Sequence, residues 1–259
     1  MNYLIVLTKC YNVKDFMLFY DYHSLYFDRI LVFDNESPVK IPVKSEMVLG
    51  FPDQYDLYNN ILKNYPFKTD DLVCFLDDDE YLYTSLDKSR FNDTVYGVLD
   101  RYGASILHMP EILISTRVLL SKRQETLPIS SRYIRLDKGN TCKCIIRYDK
   151  VDYDFKFRNE KIADTIGHIP SINGKKYSVG LSTFPDISYS SYAKVDLEAK
   201  IRLYHYHIKS ENDWLIKLNR GSAATKIPWY DIDIRKNYAF GGYDTMDNSV
   251  YNKIKENLY

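Results

Sequence analysis

The chain has 259 residues, 45% apolar and 27% charged, which gives enough core for one large domain and too much for a disordered chain. Lys plus Arg and Asp plus Glu stand at 35 each, so the formal net charge is zero. That balance lacks the basic excess of a protein that lives on a nucleic-acid backbone, and no nucleic-acid partner is expected.

Residues 3–8, YLIVLT, form a continuous apolar run and predict a buried parallel strand. Lys9, Cys10, Tyr11 and Asn12 make the loop at its carboxyl end. Apolar residues at Val13, Phe16, Met17, Phe19 and Tyr20 predict a helix over 13–26. Residues 29–33, RILVF, predict a second buried strand that ends in Asp34, Asn35, Glu36 and Ser37, and Pro38 and Pro42 interrupt the chain beyond it. A short strand is expected over 46–50, and a helix over 54–65 with Leu57, Tyr58, Ile61 and Leu62 on one face. Residues 72–76, LVCFL, predict a third buried strand. This alternation of strand and helix predicts an α/β fold whose parallel sheet has helices on both sides.

The third strand meets four carboxylates, Asp77, Asp78, Asp79 and Glu80, and a second apolar run comes next at Tyr81, Leu82 and Tyr83. Read as strand, alternate side chains share a face, which sets Asp77 with Asp79 and Asp78 with Glu80. Carboxylates paired on one face repel unless a cation lies between them, and hard divalent ions such as Mg²⁺ and Mn²⁺ take oxygen ligands. An acidic turn between two strands is the plainer reading of the four residues alone. Asp34 also falls at a strand's carboxyl end, and open α/β sheets bind ligands in the crevice outside those ends.

Further on, the sequence predicts a helix over 91–102 and short β runs over 105–109 and 112–115, split by Pro110 and Glu111. Strands are expected over 132–135 and 143–147, a loop over 159–176, and an alternating strand, IRLYHYHI, over 201–208. Ser210 would cap a helix over 211–220 that Gly221 closes, and a weaker helix is expected over 249–258. The simplest division is one domain over 1–230 with a C-terminal extension over 231–259. Cys10, Cys74, Cys142 and Cys144 offer neither an easy disulfide nor two zinc pairs, and read as reduced thiols of a cytoplasmic protein. No apolar run approaches membrane-spanning length, and MNYLIVLTK has neither the basic lead nor the cleavage site of a signal peptide. The 25 tyrosines read first as compositional bias and second as material for a sugar-binding surface.

Thr8-Lys9, Tyr22-His23, ILVFDNES over 30–37, Gln54, FLDDDEYLY over 75–83, HYHIKS over 205–210, Lys217 and Arg220-Gly221 occur in that order. Together they resemble the ordered blocks of family-2-like and family-92-like glycosyltransferases, including an aspartate-x-aspartate-glutamate motif and an HY-x-x-KS block. The chain departs from the family's pattern at Cys10, Tyr11, Leu18 and Pro38-Val39. The resemblance implies a GT-A-like (Rossmann-like) fold and transfer of a sugar, with inversion, from a UDP- or GDP-linked nucleotide-sugar to a hydroxyl of a glycan or glycosylated acceptor. It implies Mn²⁺ or Mg²⁺ as cofactor, held by Asp77, Asp79 and His205, with His207 as the alternative to His205. Thr8, Lys9, Asp34, Asn35, Asp77 and Lys209 fall to donor binding. A neutral imidazole can ligate Mn²⁺, although a strand histidine is also often simply packed. The acceptor's proton needs a general base, and Glu111 is the candidate, an ordinary turn glutamate being the alternative. A sugar-phosphate nucleotidyltransferase is a rival reading, but it would carry a glycine-rich loop where residues 8–12 have no glycine. A non-catalytic nucleotide-sugar-binding module of the same fold is another.

Overall fold

The structure is a computed structural model that describes residues 1–47, 54–115, 132–135, 142–149, 153–155, 170–172, 178–181, 193–195, 201–206, 245–247 and 249–258. The first strand, β1 (Asn2–Thr8), is buried along its whole length, as its unbroken apolar run requires. Helix α1 (Val13–Ser24) comes next, then β2 (Arg29–Asp34), β3 (Ser45–Met47), α2 (Gln54–Asn64), β4 (Leu72–Asp77), β5 (Glu80–Thr84) and α3 (Lys88–Tyr102). After these stand β6 (Ile106–Ser115), β7 (Arg132–Arg135), β8 (Cys142–Arg147), β9 (Tyr153–Phe155) and β10 (Pro170–Ile172). The chain continues through β11 (Ser178–Leu181), β12 (Ala193–Val195), β13 (Ile201–His205), β14 (Thr245–Asp247) and a last helix, α4 (Ser249–Leu258).

β3, β2, β1 and β4 lie side by side, every neighbour parallel. β8 runs antiparallel between β4 and β6, and β11 and β12 continue parallel to β6. β13 lies parallel to the outer half of β6 and antiparallel to β5. The molecule is therefore α/β, with a mostly parallel mixed sheet of Rossmann-like character.

Both faces of that sheet are covered, because successive side chains of each central strand point to opposite sides. Leu4 and Val6 of β1 and Leu72, Cys74 and Leu76 of β4 join one core. Phe16, Phe19 and Tyr22 of α1, Phe91, Val95 and Leu99 of α3, and Val250 and Ile254 of α4 pack there too. Tyr3 and Ile5 of β1 and Val73 and Phe75 of β4 face the other core, with Tyr58, Ile61 and Leu62 of α2. The segment read as a C-terminal extension thus ends in a helix built into the main core. Lys253 fastens it: its ammonium donates to the Thr84 carbonyl and lies 4.7 Å from the Tyr26 ring centroid.

Asn12, read as loop, caps α1, its side chain accepting from the amides of Lys14 and Asp15. Asn12→Ala is expected to cost about 1 kcal/mol, visible as a lower urea midpoint with an unchanged slope. α3 begins earlier than expected because Asp87 caps it, its carboxylate accepting from the Arg90 amide. Gly103, at φ 56°, closes it in the left-handed conformation that glycine adopts without strain. The two β runs split by Pro110 and Glu111 are one strand, β6. Pro110 sits where that strand changes partners: up to Pro110 it pairs with β8, and from Glu111 it pairs with β13. A residue without an amide proton is tolerated at such a handover. The helix expected over 211–220, with His207 and Lys209, lies outside the described residues. Cys10, Cys74 and Cys144 are buried thiols that form no disulfide, and burial pushes the Cys74 thiol well up. Among the described residues, no helix is long and apolar enough to cross a membrane.

Candidate metal-binding site

The acidic run is not one continuous strand. β4 ends at Asp77, Asp78 and Asp79 form a turn, and Glu80 opens β5. The expected pairing of Asp77 with Asp79 on one face and Asp78 with Glu80 on the other therefore gives way to a different grouping, in which Asp77 and Glu80 share Lys143. Glu80 folds back over the turn, and its Oε2 accepts from the Asp77 amide at 2.8 Å.

Asp77, expected to reach the metal or the ribose, is held within the chain. Gln54 donates to its Oδ1 at 3.0 Å, and Lys143 of β8 donates to its Oδ2 at 2.7 Å. The same ammonium lies 3.1 Å from Glu80 Oε1, held by charge although off the line of a good hydrogen bond. Lys143 and Glu80 are buried, with side-chain exposures of 5% and 0%. A cation does sit between two of the carboxylates, as their repulsion demands, and it is this lysine. Lys143 escaped the sequence reading because a lone lysine in a strand reads as a solvated edge position.

Asp78 accepts from the hydroxyl of Thr8, which ends β1. Asp79 is buried, and its backbone carbonyl accepts from the Tyr206 amide at 2.8 Å, stitching the turn to the end of β13. That stitch brings in His205, which pairs in register with Glu80 across β5 and β13. His205 Nε2 lies 3.3 Å from Asp79 Oδ1, and its Nδ1 lies 3.8 Å from Glu80 Oε1. Among the described residues, Asp79, Glu80 and His205 are the group whose ligand atoms all fall within 4.8 Å of one another.

The donor set fits a divalent ion. Two ligand atoms bound at ~2.1 Å and at right angles stand ~3 Å apart, close to the separation of Asp79 Oδ1 from His205 Nε2. A carboxylate oxygen with an imidazole nitrogen suits Mn²⁺ better than Mg²⁺.

Beside this group, Thr8 of β1 and Asp34 of β2 stand level at the carboxyl end of the parallel strands. Asp34 Oδ1 accepts from the Ser37 amide at 2.9 Å and so closes the loop after β2, and Asn35 donates its amide to the Thr8 carbonyl at 2.8 Å. Lys9 succeeds Thr8 and is partly buried. Glu111 has its backbone in β6, opposite Leu203 and two residues along from the Leu113 that faces His205. Its side chain, with His207 and Lys209, lies outside the described residues.

Gln54 carries a role that only the structure shows: besides holding Asp77 it donates to the hydroxyl of Tyr58, which joins α2 to the acidic turn. The buried His23 has a structural part. The Leu82 amide donates to its Nε2 at 3.2 Å, so the ring's proton sits on Nδ1 and is given to the Phe19 carbonyl at 2.8 Å. A scan against protein-family models finds no match for the chain, and neither does a comparison with curated proteins.

Proposed function

We propose that this chain is a metal-dependent glycosyltransferase of GT-A type, moving a sugar from a UDP- or GDP-linked donor to an acceptor hydroxyl with inversion. The observation that supports it best is the meeting of Asp79, from the turn between β4 and β5, with His205 of β13, two ligand types for one ion from segments far apart in the sequence. They meet at the carboxyl ends of parallel strands, where open α/β sheets bind nucleotides.

Asp79 and His205 would hold Mn²⁺ or Mg²⁺. The ion's contribution would be Lewis-acid stabilisation of the negative charge on the departing diphosphate. The chain's own groups do the rest. Asp34, Asn35, Thr8 and Lys9 line the end of β1 and β2, where the nucleoside would lie, and Lys209 offers a positive charge to the diphosphate. The acceptor oxygen bonds to the anomeric carbon as the bond to the diphosphate oxygen breaks. The nucleoside diphosphate leaves with the electron pair, and the acceptor's proton passes to a general base, for which Glu111 is the candidate.

The direct test is a panel of nucleotide-sugars with Mn²⁺, read as release of free nucleoside diphosphate. Turnover of at least one donor, abolished by EDTA, is expected. Release of pyrophosphate from a nucleoside triphosphate and a sugar phosphate would point instead to nucleotidyl transfer. Absence of turnover together with absence of nucleoside-diphosphate binding would overturn the reading.

Asp34→Asn tests the donor end, because it keeps the oxygen that closes the loop and removes only the charge. The donor KM is expected to rise about five- to tenfold with kcat nearly unchanged, as for a contact made equally in ground and transition states. An unchanged KM would remove Asp34 from the donor site.

A further inference from the structure

We infer that Lys143 is a positioning residue: it is the site's resident cation, and it keeps Asp77 and Glu80 out of the divalent ion's shell, leaving Asp79 and His205 as its ligands among the described residues. This rests on the proposal that a divalent ion binds beside His205.

The two carboxylates have no oxygen to spare. Asp77 gives Oδ2 to Lys143 at 2.7 Å and Oδ1 to Gln54 at 3.0 Å. Glu80 Oε2 accepts from the Asp77 amide at 2.8 Å, and its Oε1 lies 3.1 Å from the Lys143 ammonium as an ion pair off the line of a hydrogen bond. Both carboxylates are thus held on both oxygens by groups of the chain, and a buried ammonium bound to two carboxylates is costly to displace. Glu80 also approaches the imidazole nearest its other nitrogen, within the 4.8 Å over which one ligand atom each of Asp79, Glu80 and His205 gathers. Asp79 Oδ1 lies beside Nε2, whereas Glu80 Oε1 lies beside Nδ1, and one ion takes only one nitrogen of a ring. At 3.8 Å from Nδ1, Glu80 Oε1 bears on the ring by charge rather than by a hydrogen bond. The chain of contacts therefore runs from Lys143 to Glu80 to His205, and the lysine acts on the ion through the other two.

The consequence concerns affinity. With Lys143 in place, one carboxylate faces the ion directly and a positive charge stands behind it. Remove the ammonium, and Asp77 and Glu80 become ligands in search of a cation. Mn²⁺ binding, monitored by the electron paramagnetic resonance of the free ion, is expected to tighten about tenfold or more in Lys143→Met. Lys143→Arg keeps the charge and is expected to bind Mn²⁺ as the wild type does. Glu80→Gln is expected to cost at least about tenfold more Mn²⁺ affinity in the Lys143→Met background than in the wild type, a coupling that a merely structural lysine would not produce. In EDTA, Lys143→Met is expected to melt lower than wild type, with a larger gain in Tm when Mn²⁺ is added. If Lys143→Met does not fold in EDTA, Mn²⁺ should restore it, and Asp77→Asn/Lys143→Met, which keeps the buried charge balance, carries the same titration.

Equal or weaker Mn²⁺ binding by the lysine-free variants, no coupling to Glu80, or failure of both to fold even in Mn²⁺ would overturn the inference. The metal reading fails separately: wild type would then not bind Mn²⁺, or Asp79→Ala and His205→Ala would bind it as well as wild type does.

Discussion

Asp79→Ala is expected to weaken Mn²⁺ binding on the order of 100-fold and to lower sugar transfer on the order of 10²- to 10³-fold, while the fold stands. The side chain is the one carboxylate of the acidic turn that faces His205 Nε2, at 3.3 Å. Removing it takes away the oxygen of the proposed ligand pair and leaves the imidazole as the remaining member of that pair. The backbone contact that fastens the turn to β13, Tyr206 amide to Asp79 carbonyl, survives substitution by alanine. Sequence reasoning alone would have the metal-free variant gain stability, because two neighbouring carboxylates without their cation repel. The structure removes that expectation: Lys143 answers Asp77 and Glu80, and Thr8 answers Asp78. The Tm of the variant in EDTA is therefore expected to stay within a few degrees of wild type. His205→Ala should raise the Mn²⁺ requirement about tenfold or more, again without unfolding. Normal turnover by Asp79→Ala, or full wild-type activity in excess EDTA, would sink the metal site; a collapse of its Tm in EDTA would show that the turn depends on Asp79 for folding instead.

The strands were legible where burial on both faces leaves a plain mark. β1 and β4 are each sandwiched between two cores, so they read as unbroken apolar runs, and the ends of β1 and β4 were legible to within a residue. The acidic residues at the ends of β2 and β4 were legible too, because Asp34 and Asp77 fall where those apolar runs stop. The features that stayed hidden depend on contacts across the sequence. Lys143 looks like any strand lysine until β8 is known to lie beside β4, which puts its ammonium against Asp77. Glu80 looks like one more acid in a row until the turn at Asp78 and Asp79 swings it under the strand end. The apolar face of α4 says only that the helix packs somewhere; its place against α1 and β5 is set by Val250, Ile254 and Lys253 together. His205 was singled out only through the resemblance of its segment to a family block, since no local pattern shows that it stands beside Asp79.

His23 supplies the largest expected change in stability with pH. Its ring lies among Phe19, Tyr22 and Tyr81, with no solvent exposure. Its two nitrogens are committed to the Phe19 carbonyl and the Leu82 amide, an arrangement that only the neutral ring can satisfy, because a protonated Nε2 would point a proton at another proton. Burial accordingly pushes its pKa from 6.5 down to about 3, opposed only in part by the bond to Phe19. Between those two values the unfolded chain takes up a proton that the folded chain refuses, so stability is full above pH 6.5 and falls as the solution is acidified. From about pH 6.5 to about 4.5 the loss from this one group is about 2 kcal/mol. His23→Gln separates it from every other titration, since the amide can donate to Phe19 and accept from Leu82 without an ionising group. The variant is expected to start below wild type at neutral pH, for want of ring packing against Phe19 and Tyr81. Its urea-derived stability should then fall about 2 kcal/mol less than that of wild type between about pH 6.5 and about 4.5. Parallel curves for the two proteins would mean that His23 takes its proton in the folded state, and that the bridge it makes from α1 to β5 opens at no cost.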